Sequence, residues 1–101
     1  MKYQVKLKTG FFETTNYHLS ITSGAIQLTP NNSPTNNSIL IIEQDLISIQ
    51  LSRGRLAKIE IKTKSRTIHG VIDEKQNLGE ILQELKKNIK SKYIYEEEQN
   101  E

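Results

Sequence analysis

The chain has 101 residues, of which 35% are hydrophobic, and it contains no Cys and no Trp. This length suits a single domain, and the lack of Cys excludes disulfides, thiolate metal sites and thiol nucleophiles. Lys and Arg number 14 against 12 Asp and Glu, so the net charge of +2 lacks the strong positive excess of a dedicated nucleic-acid binder. The sequence shows neither an export signal nor an apolar run of about 20 residues, and we expect a soluble, cytoplasmic protein.

Hydrophobic residues at every second position predict three strands in the first third of the chain. The first strand alternates apolar and polar residues over 3–7, and the pattern then breaks over 10–16. The alternation resumes over 17–21, and the Ser23-Gly24 turn then leads into a partner strand over 26–28. These two segments are typical of a β-hairpin.

The segment PNNSPTNNS at 30–38 is rich in turn-forming residues and predicts a loop. The fourth strand follows it and is apolar at four consecutive positions, Ile39, Leu40, Ile41 and Ile42. This pattern predicts that both faces of the strand are covered. Either a self-association surface or a twisted or bulged strand within a monomer would cover them.

Three further strands are predicted from the same alternation. The fifth takes its inward-facing residues from Ile47, Ile49 and Leu51, and a turn at Gly54 leads to the sixth over 57–61. The seventh carries Gly70, which indicates a β-bulge or a close approach between backbones.

From Asn77 onward the hydrophobic period changes to that of an amphipathic helix. Asn77 can cap the first turn, and Glu80 stands three residues later, as in a capping box. The tail over 93–101 ends in charged residues and is expected to fray. The helical stripe consists of Leu78, Ile81, Leu82, Leu85 and Ile89.

Seven short strands followed by one helix resemble the pleckstrin-homology-like superfamily, especially its small bacterial members and the GRAM domains. The resemblance rests on YHLSITSGAIQLT at 17–29 and on DLISIQLSRGRLAKIEIKTKSRTIHGVI at 45–72, followed by the helix. It implies a mainly β (α+β) domain over residues 1–92, a seven-stranded antiparallel, partly open barrel of two nearly orthogonal sheets, with the C-terminal amphipathic helix covering one end. An OB-fold, the alternative small barrel, places its helix where this chain has the loop at 30–38.

The resemblance further implies that the loops after strands one, three and six share the open end of the barrel. Five cations would then face an anionic group there: Lys6, Lys8, Lys62, Lys64 and Arg66. Each contributes roughly 1 kcal/mol beside an anionic membrane, so charge alone supports only weak binding. The lipid-binding members carry a basic pattern that ends in Arg, whereas Phe11, Phe12 and Glu13 stand here after Lys6 and Lys8. An ordinary solvated face is the alternative interpretation.

Phe11 and Phe12 cannot both point inward if the chain is extended there. We therefore expect one of them to be exposed, where it would contact a membrane or a partner, unless a loop folds both under the barrel. His18 and His69 alternate with apolar neighbours and are expected at the surface.

No arrangement of nucleophile and base, and no carboxylate pair, stands out in the sequence. The leading hypothesis is a non-enzymatic interaction module that binds a protein or peptide partner. Assembly into a homo-oligomer through Ile39–Ile42 is one of the two alternatives given above for the fourth strand. Binding of anionic lipid headgroups through the basic open end is the second hypothesis. Nucleic-acid binding is less favoured because the charge is near neutral and aromatic residues are few. No metal or cofactor is expected.

Overall fold

Eight strands and one helix follow one another in the computed structural model, which describes residues 2–10, 13–31, 38–73, 76–90 and 93–98. The predicted seven antiparallel strands and the helix that follows them are confirmed. In chain order the elements are β1 (Lys2–Lys8), β2 (Thr14–Thr22), β3 (Ala25–Pro30), β4 (Ile39–Ile42), a 3₁₀ turn (Glu43–Asp45), β5 (Leu46–Arg53), β6 (Ala57–Thr63), β7 (Thr67–Ile72), α1 (Leu78–Asn88) and β8 (Ile94–Glu98).

All eight strands form one sheet in the order β4-β3-β2-β1-β7-β6-β5-β8. Every pair is antiparallel except β5 and β8, which run parallel. The alternation read from the sequence places the apolar residues of each strand on one face. On β1, for example, Tyr3, Val5 and Leu7 are buried, whereas Lys6 and Lys8 are exposed. The core is therefore built from Ile, Leu, Val and Tyr side chains on one face of the sheet, together with apolar side chains of the helical segment.

The sheet must curl strongly because of the short link between β4 and β5. These strands occupy the first and seventh places in the sheet, yet only Glu43–Asp45 joins them. Six strand spacings in a flat sheet measure about 29 Å, whereas this link spans about 14 Å at most. The backbone N–H of Lys64 also donates to the carbonyl of Asp45 at 3.0 Å, which ties the β6–β7 turn to the 3₁₀ turn. Over the described residues the curled sheet stays open, with β4 and β8 as its outermost strands.

The helix α1 packs its apolar stripe on the core, as the sequence predicts. Ile81, Leu85 and Ile89 are buried, and Leu78 and Leu82 are packed against the core. The side chain of Asn77 accepts a hydrogen bond from the backbone N–H of Glu80 at 3.1 Å, which confirms the predicted N-cap.

Two contacts place α1 at the ends of the strands β1–β4 that carry Tyr3 and Gly24. The Tyr3 hydroxyl donates to Glu80 Oε1 at 3.3 Å. Burial, reinforced by the nearby negative charge of Glu80, raises the pKa of Tyr3 to about 12. Gly24, whose φ of +74° is rarely adopted by other residues, donates its N–H to the carbonyl of Asn88 at 2.8 Å. The opposite ends of the same strands are left uncovered by the helix.

The segment Ile94–Glu98 forms β8, where the sequence predicts a frayed tail. β8 pairs with β5 from Ile49↔Ile94 to Arg53↔Glu98. Ile94 is buried in the core, which gives the segment an apolar anchor despite the glutamates that follow. The prediction of fraying from residue 93 is therefore wrong for this strand, because pairing with β5 outweighs the polar composition.

Candidate functional site

A cavity of about 600 Å³ opens between the strand ends that lie farthest from α1. We call it the mouth pocket. It is formed where β1 and β3 end and where β2, β4 and β7 begin. Its lining residues are Leu7, Lys8, Thr9, Thr15, Tyr17, Pro30, Ile39, Arg66, Thr67 and Ile68.

The mouth pocket combines an apolar floor with a cationic rim. Leu7, Tyr17 and Ile68 are buried residues of the core and also line the cavity. Lys8 and Arg66 line it as well, but both are exposed. The pocket therefore offers contact to an apolar group and two positive charges to an anionic group of the same ligand.

Hydrogen bonds within the β6–β7 turn hold the backbone of Arg66 in place. Thr63 Oγ1 accepts from the backbone N–H of Arg66 at 3.1 Å and donates to its carbonyl at 2.9 Å. The backbone N–H of Thr63 also donates to that carbonyl, at 2.8 Å. Because this turn is bonded to Asp45 through Lys64 as well, Arg66 projects from a fixed base.

The structure brings together only part of the predicted basic cluster at this pocket. Lys6, Lys62 and Lys64 are exposed but are not among its lining residues. In the sheet register Lys6 pairs with Val71 on β7, and Lys62 pairs with Thr67. The five cations therefore spread over one outer face and one turn instead of converging on a single point.

A carboxylate that the sequence reading did not include lies among these cations. Glu60 Oε1 is 3.8 Å from Lys62 Nζ, and Glu60 Oε2 is 3.4 Å from His69 Nδ1. Glu60 and His69 are cross-strand partners of β6 and β7. Glu60 therefore offsets part of the positive charge on this face. The contact with His69 depends on the register between β6 and β7, which sequence alone does not determine, whereas the contact with Lys62 lies within β6.

Phe11 and Phe12 lie outside the described residues, as do residues 32–37 in the loop between β3 and β4. The predicted exposure of one phenylalanine therefore stays a prediction. Both segments continue from strands that form the rim of the mouth pocket.

The outer face of β4 is uncovered in the single chain, in contrast to the expectation that both faces are covered. Ile41 is buried and Ile39 is half-buried, whereas Leu40 is 64% exposed and Ile42 is 39% exposed. The four residues pair with β3 in continuous register. A bulged strand that buries both faces within the monomer is therefore wrong, and self-association remains the open alternative.

Ile47 departs from the alternation read in the sequence. The alternation predicts that the Ile47 side chain faces inward with Ile49 and Leu51, but Ile47 is 53% exposed. A register shift between Leu46 and Ser48, typical of a β-bulge, reverses its side. We call the exposed side chains on either side of the 3₁₀ turn the apolar corner: Leu40, Ile42 and Ile47.

No group of three or more His, Asp or Glu residues in the described ranges has the arrangement of a metal site. None of the helical residues that the structure covers forms a helix long and apolar enough to cross a bilayer. No protein-family profile matches the chain, and no curated protein is significantly similar to it.

Proposed function

We propose that this chain is a non-enzymatic interaction domain that binds a protein or peptide partner, with the mouth pocket as the ligand site. The observation that carries the proposal is the pairing of a buried apolar floor with two rim cations in one cavity of about 600 Å³. Pockets of this size and mixed character hold side chains or small ligands in many proteins.

The chemistry of the pocket favours a peptide that carries an aliphatic or aromatic residue beside an acidic residue. The apolar side chain would rest on Leu7, Tyr17 and Ile68. The carboxylate would meet Lys8 and the guanidinium of Arg66, which can bind a carboxylate through two parallel hydrogen bonds. The turn that holds Arg66 lowers the entropy lost when the ligand binds.

We further propose that the fold is a pleckstrin-homology-like barrel of two nearly orthogonal sheets, acting in the cytoplasm. The following features of the fold support the barrel. The first seven strands form two antiparallel meanders, β1–β4 and β5–β7, which are joined through the pairing of β1 with β7. The short link after β4 requires strong curling, and the ends of β1 and β3 lie with Arg66, from the loop after β6, at one pocket. The helix packs at the other ends of β1–β4.

Peripheral binding to an anionic lipid surface is the second candidate. The exposed positions of Lys6, Lys8, Lys62, Lys64 and Arg66 favour it. The contact of Glu60 with Lys62, and the presence of only two of these cations at the pocket, weaken it. We expect such binding to be weak and to vanish as salt is raised, since exposed charges are screened over about 10 Å in ordinary buffers.

A peptide display library, panned against the full chain, tests the leading proposal. We expect enrichment of sequences with an acidic residue beside an aliphatic or aromatic one. The double variant Lys8→Glu, Arg66→Glu should weaken the selected peptides by about a hundredfold, the scale of two lost charged hydrogen bonds. The matched control is Lys58→Glu, Lys86→Glu, which makes the same charge change at exposed positions on β6 and α1.

Three outcomes contradict the leading proposal. One is a library without enrichment. Another is equal peptide affinity in the pocket variant and the native chain. The third is retention by phosphatidylserine vesicles, lost in the pocket variant, without any peptide binding, which would establish the lipid candidate in its place. Circular dichroism of each variant verifies that the fold is retained.

A further inference from the structure

The strand β8 is attached to the sheet in a way that would allow it to be exchanged. Over the described residues it pairs with one neighbour, β5, and it follows α1 in the chain after a short segment. The backbone N–H of Tyr93 donates to the carbonyl of Lys90 at 3.1 Å, so the chain turns just before β8. Opening this turn would let β8 leave its own β5 and reach the same edge of a second copy.

The apolar corner lies beside this turn. The backbone N–H of Lys90 donates to Glu43 Oε1 at 2.8 Å, which places the end of the helical segment against the 3₁₀ turn. Ile42 directly precedes that turn in the chain, and Ile47 follows it on β5. Ile47 also lies two residues before Ile49, the first β5 residue that pairs with β8. Exposed aliphatic side chains thus flank the point where two exchanging copies must meet.

We propose that two copies of the chain exchange β8, each Ile94–Glu98 segment pairing with β5 of the other copy, and that the apolar corner is covered between them. The surface is distinct from the mouth pocket. The second copy of the chain is the occupant of the apolar corner, and the exchange of β8 gives a homo-oligomer a structural basis.

The second copy fits this surface better than an unrelated partner because its complementarity is already visible within one chain. β5 accepts this segment over five register pairs, with Ile94 buried in the core and Glu98 opposite Arg53. Exchange reproduces all of these contacts and opens only the turn after Lys90. The gain comes from the corner, where Leu40, Ile42 and Ile47 are 64%, 39% and 53% exposed in the single chain.

Disulfide trapping between two differently tagged full-length variants tests the exchange. The chain has no Cys, so each engineered thiol is unique. Ser52 and Glu97 are register partners of β5 and β8. One variant carries Ser52→Cys and the other Glu97→Cys, so neither can form the bond within itself. After incubation at high protein concentration and mild oxidation, we expect a covalent heterodimer joined through these two positions.

The matched control mixes a Ser20→Cys variant with a Gln27→Cys variant. These residues are register partners in the β2–β3 hairpin, which cannot be exchanged without dismantling the sheet interior. We expect about tenfold less heterodimer in this mixture. Light scattering provides a second measurement: the double variant Ile42→Ser, Ile47→Ser should raise the dimer dissociation constant by about tenfold or more, because less apolar surface is buried on association.

Two results would overturn the proposed exchange. Heterodimer at the control level together with a monomer at all concentrations overturns the proposal. A dimer that depends on Ile42 and Ile47 but gives no Ser52–Glu97 trapping also overturns the exchange, and it would establish a contact between intact copies instead. Peptide binding at Lys8 and Arg66, measured on the same preparations, uses a separate surface. Its failure is therefore distinguishable from failure of the exchange.

Discussion

Replacement of Gly70 by Ala should destabilise the fold, because this residue lies where three strands pack most closely. β7 is held between β1 and β6, and Gly70 pairs with Leu7 on one side and Ile59 on the other. A Cβ atom at Gly70 would lie 2.8 Å from Leu7 Cδ2, 3.2 Å from Ile59 Cγ2 and 3.2 Å from the carbonyl oxygen of Lys6. The β6–β7 register is continuous through Gly70, so the bulge is wrong, and the close approach involves the Leu7 and Ile59 side chains as well as the Lys6 backbone.

The expected loss follows from two opposing effects. Overpacking of a well-packed core costs about 1–3 kcal/mol, and the Lys6 carbonyl cannot move without disturbing the sheet. Replacing Gly by Ala within a strand recovers about 0.5–1 kcal/mol of conformational entropy. The net loss in the free energy of unfolding should be about 1–2 kcal/mol. For a domain of this size it corresponds to a fall in Tm of roughly 5–15 °C.

Urea denaturation followed by circular dichroism measures this loss. Gly10→Ala is the matched control, since its Cβ would meet only the exposed Glu13 side chain at 3.4 Å. We expect that control to stay within about 0.5 kcal/mol of the native chain. In a Leu7→Ala background the cost of Gly70→Ala should be smaller, because the closest contact is gone while those with Ile59 and the Lys6 carbonyl remain. A Gly70→Ala protein as stable as the native chain, or an equal cost in both backgrounds, would refute the reasoning.

Two further predictions concern the docking of α1. Because burial raises the pKa of Tyr3 to about 12, the unfolded chain should lose this proton first as the pH rises above about 10. The free energy of unfolding then falls with pH, by roughly 2 kcal/mol at pH 12, and Tyr3→Phe should remove this part of the decline. Denaturation at about pH 9 and about pH 11 tests it, and equal slopes for both proteins would contradict it. Asn77→Ala should cost about 1 kcal/mol through loss of the N-cap, with Asn77→Ser close to native stability. Equal Tm values for Asn77→Ala and Asn77→Ser in thermal unfolding would contradict the capping role of Asn77.

The two cations at the rim of the mouth pocket could be predicted from the sequence, but the residues around them could not. Lys8 and Arg66 were among the five cations read from the sequence, and the structure places both at one cavity. The sequence-based prediction missed Glu60: its contact with His69 depends on which residues of β6 and β7 face each other, whereas Lys62 lies two residues away on the same strand. It also missed the apolar floor as a ligand surface, since Leu7 and Tyr17 follow the same alternation as any core residue.

Local hydrophobic period determined most of the fold. A period of two requires one apolar face per strand, and a period of three to four requires one apolar stripe per helix, whatever lies elsewhere in the chain. The seven antiparallel strands, the stripe of α1 and its cap at Asn77 were predictable for this reason.

Contacts between segments distant in the chain decided the rest. The polar composition of β8 predicts fraying, but this strand pairs in parallel with β5, and Ile94 is buried in the core. The bulge before Ser48 turned Ile47 outward, and the edge position of β4 left Leu40 and Ile42 exposed. Such outcomes depend on strand order and register. Both are set by packing of the whole chain, and neither leaves a distinct mark on the residues themselves.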